Sequence, residues 1–360
     1  VQIQRHSMKF DRPYAILAAA TVAMALTGCG PHIPEKILIG MPVTMSGPEG
    51  PRGQDLVNGA MLAAQEINAS NFKIDGKKVE IEIVAKDDKF DPEVGKAAAQ
   101  ELFDQKVHAI IGPQNSSVAA AVIPLVAEKG IPQLITASNT ELLGMGKGNL
   151  FRIVANIDFA AKAMAVFGVE NLAPKKVAII SDGSANGKAA ARVITEALKT
   201  KNRAVDLTLT VDTKEPITDA MARQIKAAEV DLVFLSARES HAISLMEKLK
   251  AVEHTNVSII GSNVYKTTKI AATSIPVRGF FVASTVFAAS ESPQGKPFLE
   301  AFRAQFKTDP VWGAHYAYDA VYALTGAIQH AKSAEHAQVL ETLRNTEPKV
   351  RVNQQLRFAQ

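Results

Sequence analysis

Short apolar runs recur along the chain, and between them apolar residues fall three or four positions apart. Lys36–Met41, Ala109–Ile111, Leu134–Ile135, Val177–Ser181, Leu232–Leu235 and Val257–Ile260 read as buried strands. Val79–Lys86 sets Val79, Ile81 and Ile83 against Glu80 and Glu82, the alternation of a half-exposed strand. Leu207–Val211 and Phe280–Val286 are further strand-like runs. Leu56, Ala60, Ala63 and Ile67 share one helical face, and Val118–Lys129, Lys188–Lys199, Ile217–Ala228 and His241–Val252 are helical stretches. Pro297–Phe306 and Ala314–Lys332 predict two more helices, the second with Tyr316, Tyr318 and Tyr322 expected in the core. Strands that alternate with helices predict an α/β fold. At 360 residues the chain is too long for one ordinary core. The expected architecture is two doubly wound, open parallel-sheet lobes joined by a hinge.

Ala109–Leu142 stands out within this rhythm. It reads strand, polar turn Pro113–Ser117, helix, strand, polar turn Thr136–Asn139. In a parallel sheet both turns fall at the carboxyl ends of the strands, where open α/β sheets bind ligands. Asn115, Ser116 and Ser117 are candidate helix caps with free N–H groups behind them, a setting suited to a carboxylate. Pro124 predicts a kink or two short helical pieces. Asp91 followed by Pro92 reads as a helix start, and the acids around it lack the spacing and glycine of a calcium loop.

Composition narrows the function. Apolar residues make up 47% of the chain and charged ones 21%, which describes a globular protein rather than a disordered one. The formal charge is +4, and the segment before Cys29 carries Arg5, Lys9 and Arg12 against Asp11. Without that segment the charge is about +2, with no basic run, so nucleic acid is not an expected partner. Lys9 and Arg12 precede an apolar run, Tyr14–Leu26, that ends Leu26-Thr27-Gly28-Cys29. A basic start, a short apolar stretch and small residues make a secretory signal, too short for a membrane span. Cys29 is the chain's one cysteine, so no internal disulfide can form.

Several motifs fail on inspection. Gly183–Ala189 has three residues between its glycines where a phosphate loop needs four, and Ala replaces Ser/Thr. Gly144–Gly148 follows no strand, so it is not a dinucleotide fingerprint. There is no G-x-S-x-G and no H-E-x-x-H, and the histidines are scattered. No enzyme, metal or cofactor is expected.

A set of short signatures then points to a family. Ser46-Gly47-Pro48, Asn58-Gly59-Ala60, Glu66-Ile67-Asn68, Asp87-Asp88 with Asp91-Pro92, Ile111-Gly112-Pro113 with Ser116-Ser117, Gly130-Ile131-Pro132 and Tyr316–Ala320 occur in order along the chain. From Lys36 onward it resembles the Leu/Ile/Val-type substrate-binding proteins of bacterial ABC importers, which have the type I periplasmic binding fold. Leu-Thr-Gly-Cys resembles the lipoprotein box, in which the cysteine is lipidated. The resemblance implies a signal peptide over residues 1–28, a tether over 29–35, one lobe of 36–154 with 285–350, and a second of 155–284 with 351–360. Crossings between the lobes are expected near Val154, Ser284 and Val350.

The resemblance also implies site residues. Ser116, with Ser117 beside it, matches a hydroxyl and helix-end contact for a ligand carboxylate; Ser138 matches a hydroxyl near the ligand's amino and carboxylate end. Thr136 matches a position that offers its backbone carbonyl to an amino group. Asn186 stands where a Tyr is usual, Asn263 where amino-acid binders often place an acid, and Arg52 and Arg238 where aromatics are frequent. The expected protein is a monomer outside the cytoplasm. It is held to a membrane by lipidated Cys29 and hands a small ligand to an ABC permease. Two other readings stay open: a lipoprotein regulator that binds a protein with the same fold, and a secreted hydrolase using Ser116 or Ser138.

Overall fold

The computed structural model describes residues 33–353, apart from 213, 214, 267, 275 and 349. Cys29 and the apolar run before it lie outside the described residues. The first half of the chain alternates β1 (Lys36–Val43), α1 (Gly50–Ala69), the hairpin β2 (Lys73–Ile74) and β3 (Lys77–Lys78), then β4 (Glu80–Asp87), α2 (Pro92–Asp104), β5 (Ala109–Ile111), α3 (Ser116–Lys129), β6 (Gln133–Ile135) and β7 (Leu150–Arg152). The second half runs α4 (Ile157–Leu172), β8 (Val177–Ser181), α5 (Ala185–Thr200), β9 (Leu207–Thr210), α6 (Asp219–Ala227), β10 (Leu232–Ser236), α7 (Glu239–Ala251), β11 (Ser258–Ser262), α8 (Thr268–Ala272) and β12 (Gly279–Ala283). It ends with α9 (Gly295–Phe306), α10 (Ala314–Ala331) and α11 (His336–Asn345).

Two five-stranded sheets result, ordered β4-β1-β5-β6-β7 and β12-β11-β10-β8-β9, and every pairing in them is parallel. This is the doubly wound α/β class that the apolar rhythm predicts. Each sheet is buried on both faces, as parallel sheets must be. In β10, Val233 and Leu235 pack on one side with Leu245 and Leu249 of α7, while Leu232 and Phe234 pack on the other with Met164 of α4 and Ile194 of α5. In the first sheet Ile37, Ile39 and Met41 join a core with α1 and α10, and Ile110 joins one with Val118 and Val122 of α3.

Helix α10 therefore returns to the first sheet. Gly59 makes the approach possible: a Cβ there would lie 2.0 Å from the Ala314 carbonyl oxygen. Asp55 of α1 caps the start of α10, its carboxylate accepting N–H bonds from Val311, Trp312, Gly313 and Ala314 at 2.7–2.9 Å. Tyr316 and Tyr318 are buried, as expected of core residues. The Tyr318 and Tyr322 hydroxyls donate to Glu66 at 2.6 and 2.8 Å.

The chain passes from the first sheet to the second between Arg152 and Ile157 and returns after Ala283. Where the passages meet, the Ala155 N–H donates to the Thr285 carbonyl at 3.1 Å. Arg351, Val352 and Asn353, expected in the second lobe, lie instead against the first: their N–H groups donate to the buried Asp319 carboxylate of α10 at 2.6–3.2 Å. The reason is the carboxylate, which needs donors where it is buried. Residues 354–360 lie outside the described residues. Helix α3 runs through Pro124 as one element rather than two pieces. The Gly183–Ala189 stretch is a capped helix start: the Ser184 hydroxyl donates to Asp182 at 2.5 Å and accepts the Gly187 N–H at 3.1 Å.

Candidate ligand cleft

Strands β5 and β6 are neighbours, with Ile110 opposite Gln133 and Ile111 opposite Leu134. Their polar turns therefore emerge side by side at the carboxyl edge of the first sheet. Buried side chains hold both turns. Gln133 Nε2 donates to the Gly112 carbonyl at 2.9 Å. Gly112 has φ of 107°, and a Cβ there would lie 2.8 Å from the Pro42 carbonyl oxygen, so both backbone angle and space call for glycine.

One side chain caps α3. Asn115 Oδ1 accepts the N–H groups of Ser117 and Val118 at 2.9 and 3.2 Å, and the Ser117 hydroxyl at 2.6 Å. Ser116 and Ser117 are thus the first helical residues rather than caps. Ser117 is exposed and its proton is committed to Asn115; Ser116 is half-buried at the first helical position.

The turn after β6 is held by Arg152, a residue that the sequence does not single out. Its side chain is buried, donates from Nε to the Ala137 carbonyl at 3.1 Å, and bonds the Asn139 carbonyl through Nη2. Burial pushes the Arg152 pKa down, and Asp158 opposes that shift. The Ser138 carbonyl accepts the Ile157 N–H at 2.8 Å. Thr136 is buried; among the described residues its hydroxyl has no partner and nothing donates to its carbonyl. Three successive carbonyls are tied down and the fourth, at Thr136, is left available.

The facing edge belongs to the second sheet. Asn186 lies in the first turn of α5, and its Oδ1 accepts Asn139 Nδ2 at 2.8 Å. Asn263 begins the turn after β11. Arg52, in the first turn of α1, has Nη1 3.2 Å from Glu49 and Nη2 3.5 Å from the Asn263 and Val264 carbonyls. Arg238 is exposed at the start of α7, and its backbone N–H donates to His241 Nδ1 at 3.1 Å. Ser116, Thr136, Ser138, Asn186, Asn263 and Arg52 thus all belong to the facing carboxyl edges. Arg52 is balanced there by Glu49, and the Arg238 side chain stands toward solvent.

Among the described residues no group of His, Cys, Asp and Glu is placed to hold a metal ion, and no helix is long and apolar enough to cross a membrane. A separate concavity of about 580 Å³ lies at the opposite edge of the first sheet, lined by Lys106, His108, Lys129 and His336 among others.

Comparison with known proteins agrees with this geometry. The Leu/Ile/Val-binding protein BraC3 of Rhizobium johnstonii is 29% identical over 313 residues, covering 85% of this chain and 82% of the relative. The substrate-binding protein LivJ of Streptococcus pneumoniae, solved with isoleucine, superposes with a TM-score of 0.73 at 26% identity, covering 87% of this chain and 88% of that one. A solute-binding protein of an ABC transporter from Rhodopseudomonas palustris, solved with 3,4-dihydroxybenzoic acid, has a TM-score of 0.72 at 21% identity, covering 86% and 85%; at that identity the likeness is one of fold. The family model for periplasmic binding proteins matches residues 36–353, and the chain belongs to that family.

Proposed function

We propose that the chain binds a small carboxylate-bearing solute between its sheets, outside the cytoplasm, and delivers it to an ABC permease. The observation that carries this reading is the pair of braced polar turns after β5 and β6, set opposite Asn186 across the cleft. The ligand carboxylate is assigned to Ser116 and the start of α3, where a helix N-terminus favours negative charge. The Thr136 carbonyl and the Ser138 hydroxyl are its neighbours in this assignment. The lobes are taken as 36–154 with 285–353, and 155–284.

Solute class follows from charge. A buried ammonium needs an acid or several acceptors. Asn263 carries no charge, and Arg52 lies over its carbonyl. We assign a carboxylate for which an α-ammonium is not required, rather than a simple branched-chain amino acid. Glu239, beside Arg238, is the acid that would reverse this assignment by reaching into the cleft.

Cys29 is assigned as the lipidated anchor, with 29–35 as tether. Several acyl chains give stable membrane attachment where one does not. A Cys29→Ser chain should leave the membrane fraction; if it stays there, the assignment fails. The regulator and hydrolase readings lose ground to membership in a binding-protein family with relatives in ABC importers.

Titration calorimetry decides the solute class. The purified protein should bind carboxylates such as benzoates and 2-oxo acids at least as tightly as leucine, isoleucine and valine. Tight binding of leucine with its deaminated analogue silent would overturn the assignment. Failure of every amino acid and carboxylate to bind would overturn the solute-binding reading.

A further inference from the structure

We propose that the cleft is held shut by a latch made of protein groups alone: Arg52 on the Asn263–Val264 turn, and Asn139 on Asn186. The proposal rests on the solute-binding reading above and says what Arg52 and Asn186 do within it. They grip the opposite lobe and set affinity for every ligand by one common factor.

Both contacts join residues far apart in sequence, one from each sheet. In the first, Glu49 holds one arm of the Arg52 guanidinium at 3.2 Å, and the side chain is only 18% exposed. The other arm reaches two carbonyl oxygens at 3.5 Å each, a long contact shared between two acceptors. Its landing turn is anchored by the Tyr265 side chain. The Tyr265 hydroxyl donates to the Ala237 carbonyl at 2.7 Å and accepts the Ala237 N–H at 3.0 Å. Gly261 makes room for that ring: a Cβ there would lie 2.1 Å from Tyr265 Cε2.

The second contact is equally prepared. Asn139 Oδ1 accepts the Glu141 N–H at 2.9 Å, which fixes the amide's orientation and presents Nδ2 to Asn186 at 2.8 Å. Arg152 clamps the Asn139 backbone. Asn186 sits in a helix turn whose start is fixed by Asp182 and Ser184. Each half of the latch is ordered on its own lobe, so closure freezes few further rotamers.

A group that touches ligand discriminates between ligands. A group that touches only the other lobe changes the closed fraction, and apparent affinity scales with that fraction whatever is bound. Net hydrogen-bond contributions imply that Arg52→Ala or Asn139→Ala weakens binding about three- to tenfold. The loss should be equal, within about twofold, for two chemically different ligands such as an amino acid and a benzoate. Asn186→Ala removes the acceptor and should cost the same common factor.

The test that needs no ligand is a spin-label distance measurement. The full chain with Cys29→Ser carries labels at Gln100→Cys on α2 and Lys250→Cys on α7, both exposed. Arg52→Ala and Asn139→Ala should shift the distribution toward the open separation. Unchanged distances in both variants, or losses of affinity confined to one ligand, would overturn the latch. If no ligand binds the parent protein, the solute-binding reading fails, while the distance measurement still decides whether the contacts hold the lobes together.

Discussion

The two edges that face each other across the cleft are built differently. On the first sheet, buried side chains fix the turns: Arg152 and Gln133 bind the carbonyls of Ala137, Asn139 and Gly112, and Thr44 donates to the buried Asp88 at 2.5 Å behind β1 and β4. On the second sheet, helix starts carry the facing groups, and Arg238 is exposed. Preorganised groups bind without a cost of ordering. The difference is consistent with the proposed seat on the first edge, where buried side chains tie the turn carbonyls, while the second edge meets it with groups fixed at helix and turn starts on its own lobe.

The most direct way to break this comparison is to remove the clamp. Arg152→Ala leaves two carbonyls and a cavity behind, at a cost of about 3–4 kcal/mol of stability. Arg152→Lys should recover little, because a point charge cannot serve both carbonyls as the planar fork does. Urea unfolding monitored at Trp312 measures it; a loss below about 1 kcal/mol would show that the turn stands without its clamp.

Acid should also act on the first lobe. Burial pushes the His315 pKa down to about 4, with Lys266 adding to the shift. Burial lowers His108 and His336 as well. His108 Nδ1 accepts the Leu38 N–H at 3.1 Å, a bond that a proton at that nitrogen would break. The unfolded chain takes up these protons near pH 6.5, so stability falls as pH drops below that value and levels off only below the folded pKa. For His315 alone the loss is about 3 kcal/mol by pH 4. Asp55, Asp88 and Asp319, raised chiefly by burial, act in the opposite sense, since protonation on acidification favours the folded state. Comparing the parent with His315→Gln separates the two. The variant should show a shallower fall between pH 6.5 and 4.

Strength of pattern decided what could be read from the sequence. Strands such as Val177–Ser181, four apolar residues closed by a serine, are buried throughout and lie where the runs predict. Strand β7 escaped because it is three residues long and ends in Arg152, whose burial depends on carbonyls presented by another strand. Helix α4 is apolar on most sides, so it has no clear stripe, and α11 is short and polar. At the cleft, the adjacency of the two polar turns assigned as the seat was legible because β5 and β6 follow each other in the chain. The Asn139–Asn186 contact spans 47 residues and the Arg52–Asn263 contact 211, and no local pattern encodes either. The pairing of Arg52 with Glu49 three residues earlier was within reach of helical spacing.

Ser116 tests the seat itself. A charge-assisted hydrogen bond contributes about 1.5–3 kcal/mol, so Ser116→Ala should weaken binding roughly ten- to a hundredfold. Folding stability should hardly change, because Asn115 rather than Ser116 caps the helix. Calorimetry showing equal affinity for acid and amide forms of the ligand would remove the carboxylate from this position.

The smallest effect is expected at Arg238, and it sharpens the comparison from the other side. Sequence resemblance places Arg238 near the cleft, where a cation would attract an anionic solute. The side chain is exposed, and its backbone rather than its guanidinium engages His241. An exposed charge acts through water and salt, so its pull on a bound carboxylate is weak. Arg238→Ala should therefore change stability by less than about 0.5 kcal/mol and affinity by less than about twofold at physiological salt. Its one visible trace should be a modest fall in association rate at low salt, where long-range steering is strongest. Stopped-flow binding at low and high ionic strength distinguishes the cases. A tenfold loss that persists at high salt would mean that Arg238 turns inward onto a bound ligand, and that the second edge seats the ligand too.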